Sequence, residues 1–293
     1  MASNVAMRQA AERVHRQKVV LRYVLGIFWY AFLLALGFLF MLPFFWMLST
    51  AFKEPRQVFS YPIQWIPNPI VWTNFRDAWT VIPFNTFLWN TVVITFFSLF
   101  GQTLSSALAA FAFARIPFKF RDILFVVLLA TMMLPPQVTL IPTFLIFARL
   151  DWINTFKPLI VPAYFGVPFY IFLLRQFFLT IPMDLEDAAF VDGCGRLRIF
   201  WSVFVPLAKP AFATVMIFAF LATWNDFFGP LIYINSTRKM TMTLGLSMMR
   251  DAHSTEWTWM MSIAILMVLP CLALFFIFQD YFVEGITMSG IKG

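Results

Sequence analysis

The chain has 293 residues, of which 61% are hydrophobic and only 12% charged. A water-soluble domain carries about twice that share of charge, and without it this chain has no means of covering a surface, whereas a surface facing lipid tails needs no charge. The net charge of +7 is not drawn into a basic stripe interleaved with exposed aromatics, so no nucleic-acid partner is expected.

A helix crossing the hydrocarbon core needs about 20 predominantly apolar residues. Six stretches meet this length: 24–48, 87–114, 123–147, 159–178, 203–224 and 259–278. The expected fold is therefore an all-α integral membrane protein with six transmembrane helices. Its expected division is a basic cytoplasmic tail over 1–23, a first transmembrane helix over 24–49, and an extracytoplasmic loop rich in Pro and Trp over 50–85. A five-helix core follows over 86–280, then a cytoplasmic tail over 281–293. The first apolar run is too long for a signal-peptide core and no small-residue cleavage site follows it, so it is expected to be kept.

Arg8, Arg13, Arg16, Lys18 and Arg22 precede the first span. With this end inside, the larger share of Lys and Arg falls on cytoplasmic segments, including the turn with Arg115, Lys119 and Arg121 and the loop from Arg175 to Lys209. The positive-inside rule then places both termini in the cytoplasm. A short helix is expected around 74–79 in the first outer loop, and the second outer loop, 225–258, carries His253. The second span has a small-residue face, Gly101, Ser105, Ser106, Ala109, Ala110 and Ala112, suited to close helix packing. In the third span, Pro135-Pro136 followed by Pro142 fits a kink or a break; the residues alone favour the kink. Cys194 and Cys271 have neither metal-ligand nor disulfide-framework spacing.

The interiors of the first three spans carry no Asp, Glu, Lys, Arg or His, which argues against a proton-coupled transporter. No Lys is followed by Ser or Thr, so the chain has no phosphate-binding loop of that type, and His15 and His253 have no H-E-x-x-H partner. No nucleophile and base are paired, and no enzymatic activity is expected.

The loop 181–210 between the fourth and fifth spans has the most local information. Pro182 suits the first turn of a helix, and Asp184, Glu186 and Asp187 crowd its positive end. Gly193 stands where a helix would stop in the left-handed conformation. Arg196, Arg198 and Phe200 open a second helical stretch, and Pro206 and Pro210 mark the approach to the next span. Ala188 and Ala189 give the first helix a smooth side. These residues fit either a docking element or an interfacial amphipathic helix.

Asp187-Ala188-Ala189, Gly193 and Val203-Phe204-Val205-Pro206 resemble the "EAA" loop of ABC-importer permeases, with Asp in place of Glu and Val in place of Ile and Leu. Further matches follow in order along the chain: Asn74-Phe75, Ala109 through Arg115, Leu134-Pro135-Pro136-Gln137, Ile141-Pro142, Trp224-Asn225-Asp226-Phe227-Phe228 and the closing run from Gly285 to Gly293. Together they resemble the carbohydrate-uptake group of the maltose-permease type, the shorter of its two paired permeases. Asp151 stands where that group often has Gly.

This resemblance implies a transport subunit of the bacterial or archaeal plasma membrane, paired with a second homologous permease and two ATP-binding subunits. An extracytoplasmic solute-binding protein would deliver a sugar or sugar-like solute. It implies no cofactor in this chain, with ATP and Mg held by the partner subunits. The loop residues Glu186, Asp187, Ala188, Ala189, Asp192, Gly193, Arg196 and Pro206 would dock the ATPase and couple its motion. Asn90, Trp224 and Asn225 are candidates for the solute pathway, although each also fits a packing role. The competing expectation is a stand-alone secondary transporter or channel, which would need no docking loop.

Overall fold

The computed structural model describes residues 2–250 and 256–290, with side chains over 21–250 and 256–279. His253 therefore lies outside the described residues, as do the last three residues of the closing motif. All regular structure among the described residues is helical.

Helix α1 (Ala2–Ala51) runs unbroken through the expected border between tail and first span, because nothing near residue 23 interrupts helix-compatible sequence. Over most of its apolar stretch, Leu21–Ala51, no side chain is buried inside the chain; only Ser49, Thr50 and Ala51 at its end are. The helix stops where Asn74 takes over its last carbonyl and one just beyond it, donating to Ala51 O at 2.9 Å and Lys53 O at 2.8 Å. Asn74 belongs to α2 (Thr73–Val81), the short helix expected in the outer loop. Trp65 and Trp46 meet edge to face at 5.5 Å over this corner. Beneath them the fully buried Lys53 ammonium lies 4.1 Å from the Trp46 ring centroid.

Helix α3 (Phe84–Arg115) is the mast of the fold. Its small-residue face admits an irregular segment: a Cβ on Gly101 would come within 2.6 Å of the Tyr164 ring.

The third span is broken rather than kinked. Helices α4 (Arg121–Thr131) and α5 (Pro136–Arg149) meet at 96°. Pro136 disfavours the helical conformation for the residue before it, and Pro135 is extended, with φ −66° and ψ 135°. Weighing each proline singly gives a kink; two in succession remove the donor and the dihedral together.

Helix α5 ends on Asp151 at φ 54°. Asp151 N donates to Ala148 O at 3.2 Å and Trp152 N to Phe147 O at 2.9 Å, while the Phe147 and Trp152 rings stack at 5.4 Å. This is a Schellman cap with its apolar clasp. The position favours Gly, and Asp is among the few other residues that tolerate the left-handed region.

The fourth span is α6 (Lys157–Ile160), a 3-10 turn over Val161–Phe165, Gly166 at φ 84°, and α7 (Pro168–Thr180). The irregular stretch around Pro162 and Pro168 leaves backbone groups that hydrocarbon cannot satisfy, and α3 satisfies several of them. Ser98 Oγ donates to Leu159 O at 3.1 Å, Ser105 Oγ donates to Ala163 O at 3.2 Å, and Ser106 Oγ accepts from Val167 N at 3.0 Å.

The loop that follows holds α8 (Met183–Val191), α9 (Arg196–Ile199), a π turn over Phe200–Phe204 and α10 (Val205–Leu207). Helix α11 (Lys209–Trp224) departs at 83°. The expected fifth span, 203–224, is thus bent at Ala208 rather than straight, because Pro206 and Pro210 both lack the N–H that would carry one helix through it. Helix α12 (Phe228–Tyr233), α13 (Met242–Met248) and α14 (Trp257–Gly290) complete the chain. Counting each bent pair as one span gives six crossings. A core around Phe111, Leu174, Phe178, Phe200, Phe204 and Val215 binds α3, α7 and α11 to the loop 181–210. A second, around Phe84, Phe87, Met242 and Ile263, closes the other end.

Candidate functional site

Helix α8 starts after Pro182 and ends in another Schellman cap. Gly193 N donates to Phe190 O and Cys194 N to Ala189 O, both at 2.9 Å, with Gly193 at φ 79°. A Cβ on Gly193 would meet nothing within 4 Å, so glycine is required there by the dihedral and not by crowding. The chain turns and re-enters helix at Arg196, giving the helix, turn and helix expected from the sequence.

This geometry sorts the candidate residues onto two faces. Asp187, Ala188, Asp192 and Pro206 are exposed, together with Val191 (88%) and Leu197 (69%). Ala189 is half-buried against the core. The two alanines thus point apart, since neighbours on a helix differ by about 100°, and only Ala188 contributes to an outer surface.

Glu186 departs from the expected docking face: it is 3% exposed and turned inward. Its Oε2 lies 3.8 Å from Arg115 Nη1 and its Oε1 lies 3.7 Å from Arg196 Nη1. Arg115 closes α3, and it also donates to Phe178 O at 2.5 Å, to Ile181 O and to Met183 Sδ. The guanidinium of Arg196 lies 5.2 Å from the Phe190 ring centroid, so that residue spans the Gly193 turn. The loop therefore presents an acidic and apolar outer face and keeps a charged cluster within. Asp187, unlike its neighbour Glu186, is available to a partner, as are Asp184 and Asp192.

The three solute-pathway candidates separate in the same way. Asn90 is 6% exposed, and its amide donates to both Arg238 O and Met240 O at 2.9 Å. Trp224 is buried, with Nε1 donating to Met267 O at 3.1 Å. Only Asn225 is exposed, its Nδ2 donating to Leu221 O at 2.9 Å. Asn90 and Trp224 face the interior of this chain, where the irregular backbone at 238–240 takes the donors of Asn90 and a carbonyl of α14 takes that of Trp224. The sequence offered no sign of this, since the groups they satisfy lie 148 and 43 residues away.

Two features of the site escaped the sequence reading. Val191 and Leu197 are large apolar residues at the surface of a polar loop, a signal that was available. Arg115 ends a 32-residue helix with no other charge, which was also visible, but its partners were not.

Comparison with known proteins agrees with this fold. The family described as "Binding-protein-dependent transport system inner membrane component" matches residues 102–288. The chain is 34% identical over 272 residues to the probable ABC transporter permease protein YurM of Bacillus subtilis, covering 91% of this chain and 87% of that one. It is 31% identical to the sulfoquinovosyl glycerol transport system permease protein SmoH of Agrobacterium fabrum, over 86% and 88% of the two chains. A crystal structure of a bacterial ABC transporter involved in the import of the acidic polysaccharide alginate has the same fold, with a TM-score of 0.79 at 22% identity, over 88% of this chain and 96% of the other. The chain belongs to the binding-protein-dependent transport system inner membrane component family and is a multi-pass permease subunit of an ATP-driven importer.

Proposed function

We propose that this permease pairs with a second, homologous permease and two ATP-binding subunits, and that it passes a sugar or sugar-like solute received from an extracytoplasmic binding protein. The observation that carries the energetic half of this reading is the outer face of the loop, where Asp187, Ala188, Val191 and Leu197 are exposed together on a helix pair fixed by the Gly193 turn. A soluble ATPase with an apolar groove and a cation to meet Asp187 fits that face. The partner subunits, not this chain, would hold ATP and Mg.

The solute class is supported by the relatives: SmoH is named for sulfoquinovosyl glycerol and the matching solved transporter imports alginate. Both ligands are glycosides. Uptake into proteoliposomes by the complete complex, with a panel of neutral sugars, glycosyl glycerols and uronate oligosaccharides, tests this class. Uptake of amino acids or metal ions in preference to every member of the panel would contradict it.

The proposed orientation has both termini and the loop in the cytoplasm, because the basic residues gather there. In a background with Cys194→Ser and Cys271→Ser, an impermeant maleimide applied to intact cells is expected to label Thr237→Cys and not Asp192→Cys. The reverse pattern would invert the topology. Both positions are exposed, so labelling reports sidedness.

The turn itself supplies a further test. A β-branched residue at φ 79° costs about 1–2 kcal/mol in local strain, and Gly193→Val has open space for its side chain. Membrane insertion is therefore expected to be normal, while recovery of the ATPase on the purified permease falls by about tenfold, since 1.4 kcal/mol is a factor of ten. Unchanged ATPase recovery over a dilution series would show that the turn does not set the docking geometry.

A further inference from the structure

We infer that Arg115 is the positioning residue that keys the cytoplasmic loop to α3, and that α3 carries the loop's motion to the extracytoplasmic segment at 238–242. The inference rests on the proposed docking of an ATPase at the loop.

Arg115 is the last residue of α3, yet its guanidinium touches every part of the loop's root. It donates to Phe178 O at the end of α7 and to Ile181 O at the extended residue between α7 and α8. It donates to Met183 Sδ at the start of α8 and faces Glu186 one turn on. Its Cζ lies 5.0 Å from the Phe204 ring centroid, in the π turn beyond Gly193. Arg has a planar fork of five donors, and no Lys reproduces it. The side chain is 3% exposed and Glu186 is 4% exposed, so water does not substitute for these contacts.

The contacts differ in stiffness. The carbonyl bonds hold the α7–α8 junction at hydrogen-bond length. The ion pairs to Glu186, at 3.8 and 3.7 Å, are longer than hydrogen bonds, and Glu186 Oε2 and Arg115 Nε have no hydrogen-bond partner. Helix α8 thus has room to shift against Arg115 while its root stays clamped to α3.

The far end of α3 is held just as specifically. Asn90 binds Arg238 O and Met240 O, and Thr91 Oγ1 accepts from Met242 N at 2.9 Å. Asn90 and Arg115 lie on one unbroken helix, and at 1.5 Å per residue their separation is about 38 Å. A rigid element with specific contacts at both ends is a physical carrier of coupling. Between them, Ser98, Ser105 and Ser106 hold the broken fourth span to the same helix, so that span moves with α3.

The test uses the assembled complex with its second permease and ATPase in liposomes, with Thr237→Cys as the single cysteine. The readout is the rate of maleimide labelling, with and without ATP and vanadate, beside ATP hydrolysis. With Arg115 present, trapping is expected to change the labelling rate by roughly threefold or more. In Arg115→Leu with Glu186→Leu, removal of both charges avoids an unpaired buried ion. ATPase recovery and hydrolysis are expected to stay within about twofold while the effect of trapping on Thr237→Cys disappears. Arg115→Lys keeps the charge and loses the fork, and a partial response is expected; this variant decides the matter if the double variant is not recovered. A full response to trapping in the double variant, or in Arg115→Lys at undiminished size, would overturn the inference. So would the absence of any response in the parent complex that binds and hydrolyses ATP. Failure of the parent permease to bind any ATPase would instead contradict the docking reading.

Discussion

Ala188→Arg is expected to strip the ATP-binding subunits from the purified permease while leaving the permease itself intact. Ala188 is exposed on α8, so the new side chain has room in the isolated chain. In a partner groove it would bury a guanidinium without a counter-charge, at a cost of about 3 kcal/mol or more, which is about a hundredfold in affinity. Solute-driven ATP hydrolysis and uptake should fall together. Ala189→Arg gives the contrast: its position is half-buried against the core around Phe178 and Phe200, so that variant should fail in folding as well. Retention of the ATPase by Ala188→Arg at wild-type levels would place the docking surface elsewhere.

Asn90→Leu is expected to destabilise the permease by about 2 kcal/mol, because two part-buried carbonyls each lose a donor at about 1 kcal/mol. The acceptors are Arg238 O and Met240 O, so proteolysis should open the segment around 233–242 first. Thermal unfolding of the detergent-purified protein measures the loss. A contact to solute would behave differently: stability would be kept and uptake alone would fall. That second outcome would return Asn90 to the solute pathway, where the sequence first placed it.

The contrast over Asn90 shows what local sequence contains. The six spans are legible because each is a run of about 20 apolar residues, and all six occur as single or bent helices. The α8 helix, the Gly193 turn and the second helix are legible because caps and breakers act within a few residues. The 96° break at Pro135-Pro136 and the 83° bend between Pro206 and Pro210 are larger than either proline of each pair gives singly. Asp151 stood without a reason until its φ of 54° showed that the position demands a left-handed residue.

What local sequence could not supply is which distant backbone claims a polar side chain. Asn74, Asn90, Ser98, Ser105 and Ser106 all satisfy main-chain groups freed at helix ends or breaks, and each break lies on another element. The same applies to the acids of α8. Glu186 and Asp187 are adjacent, and only the position of Arg115 decides that the first turns inward and the second outward. The substitution of Asp for Glu at 187 therefore shortens a carboxylate on the outer face, where the partner's reach sets its effect, and leaves the inner cluster untouched.

The most direct test of the account is affinity purification of this permease from its native membrane in mild detergent, with identification and stoichiometry of the co-purified chains. The account predicts two copies of a P-loop ATPase and one second permease for each copy of this chain, all lost together when Ala188 is replaced by Arg except the paired permease. Recovery of this chain by itself, with solute uptake intact after its reconstitution alone, would contradict it.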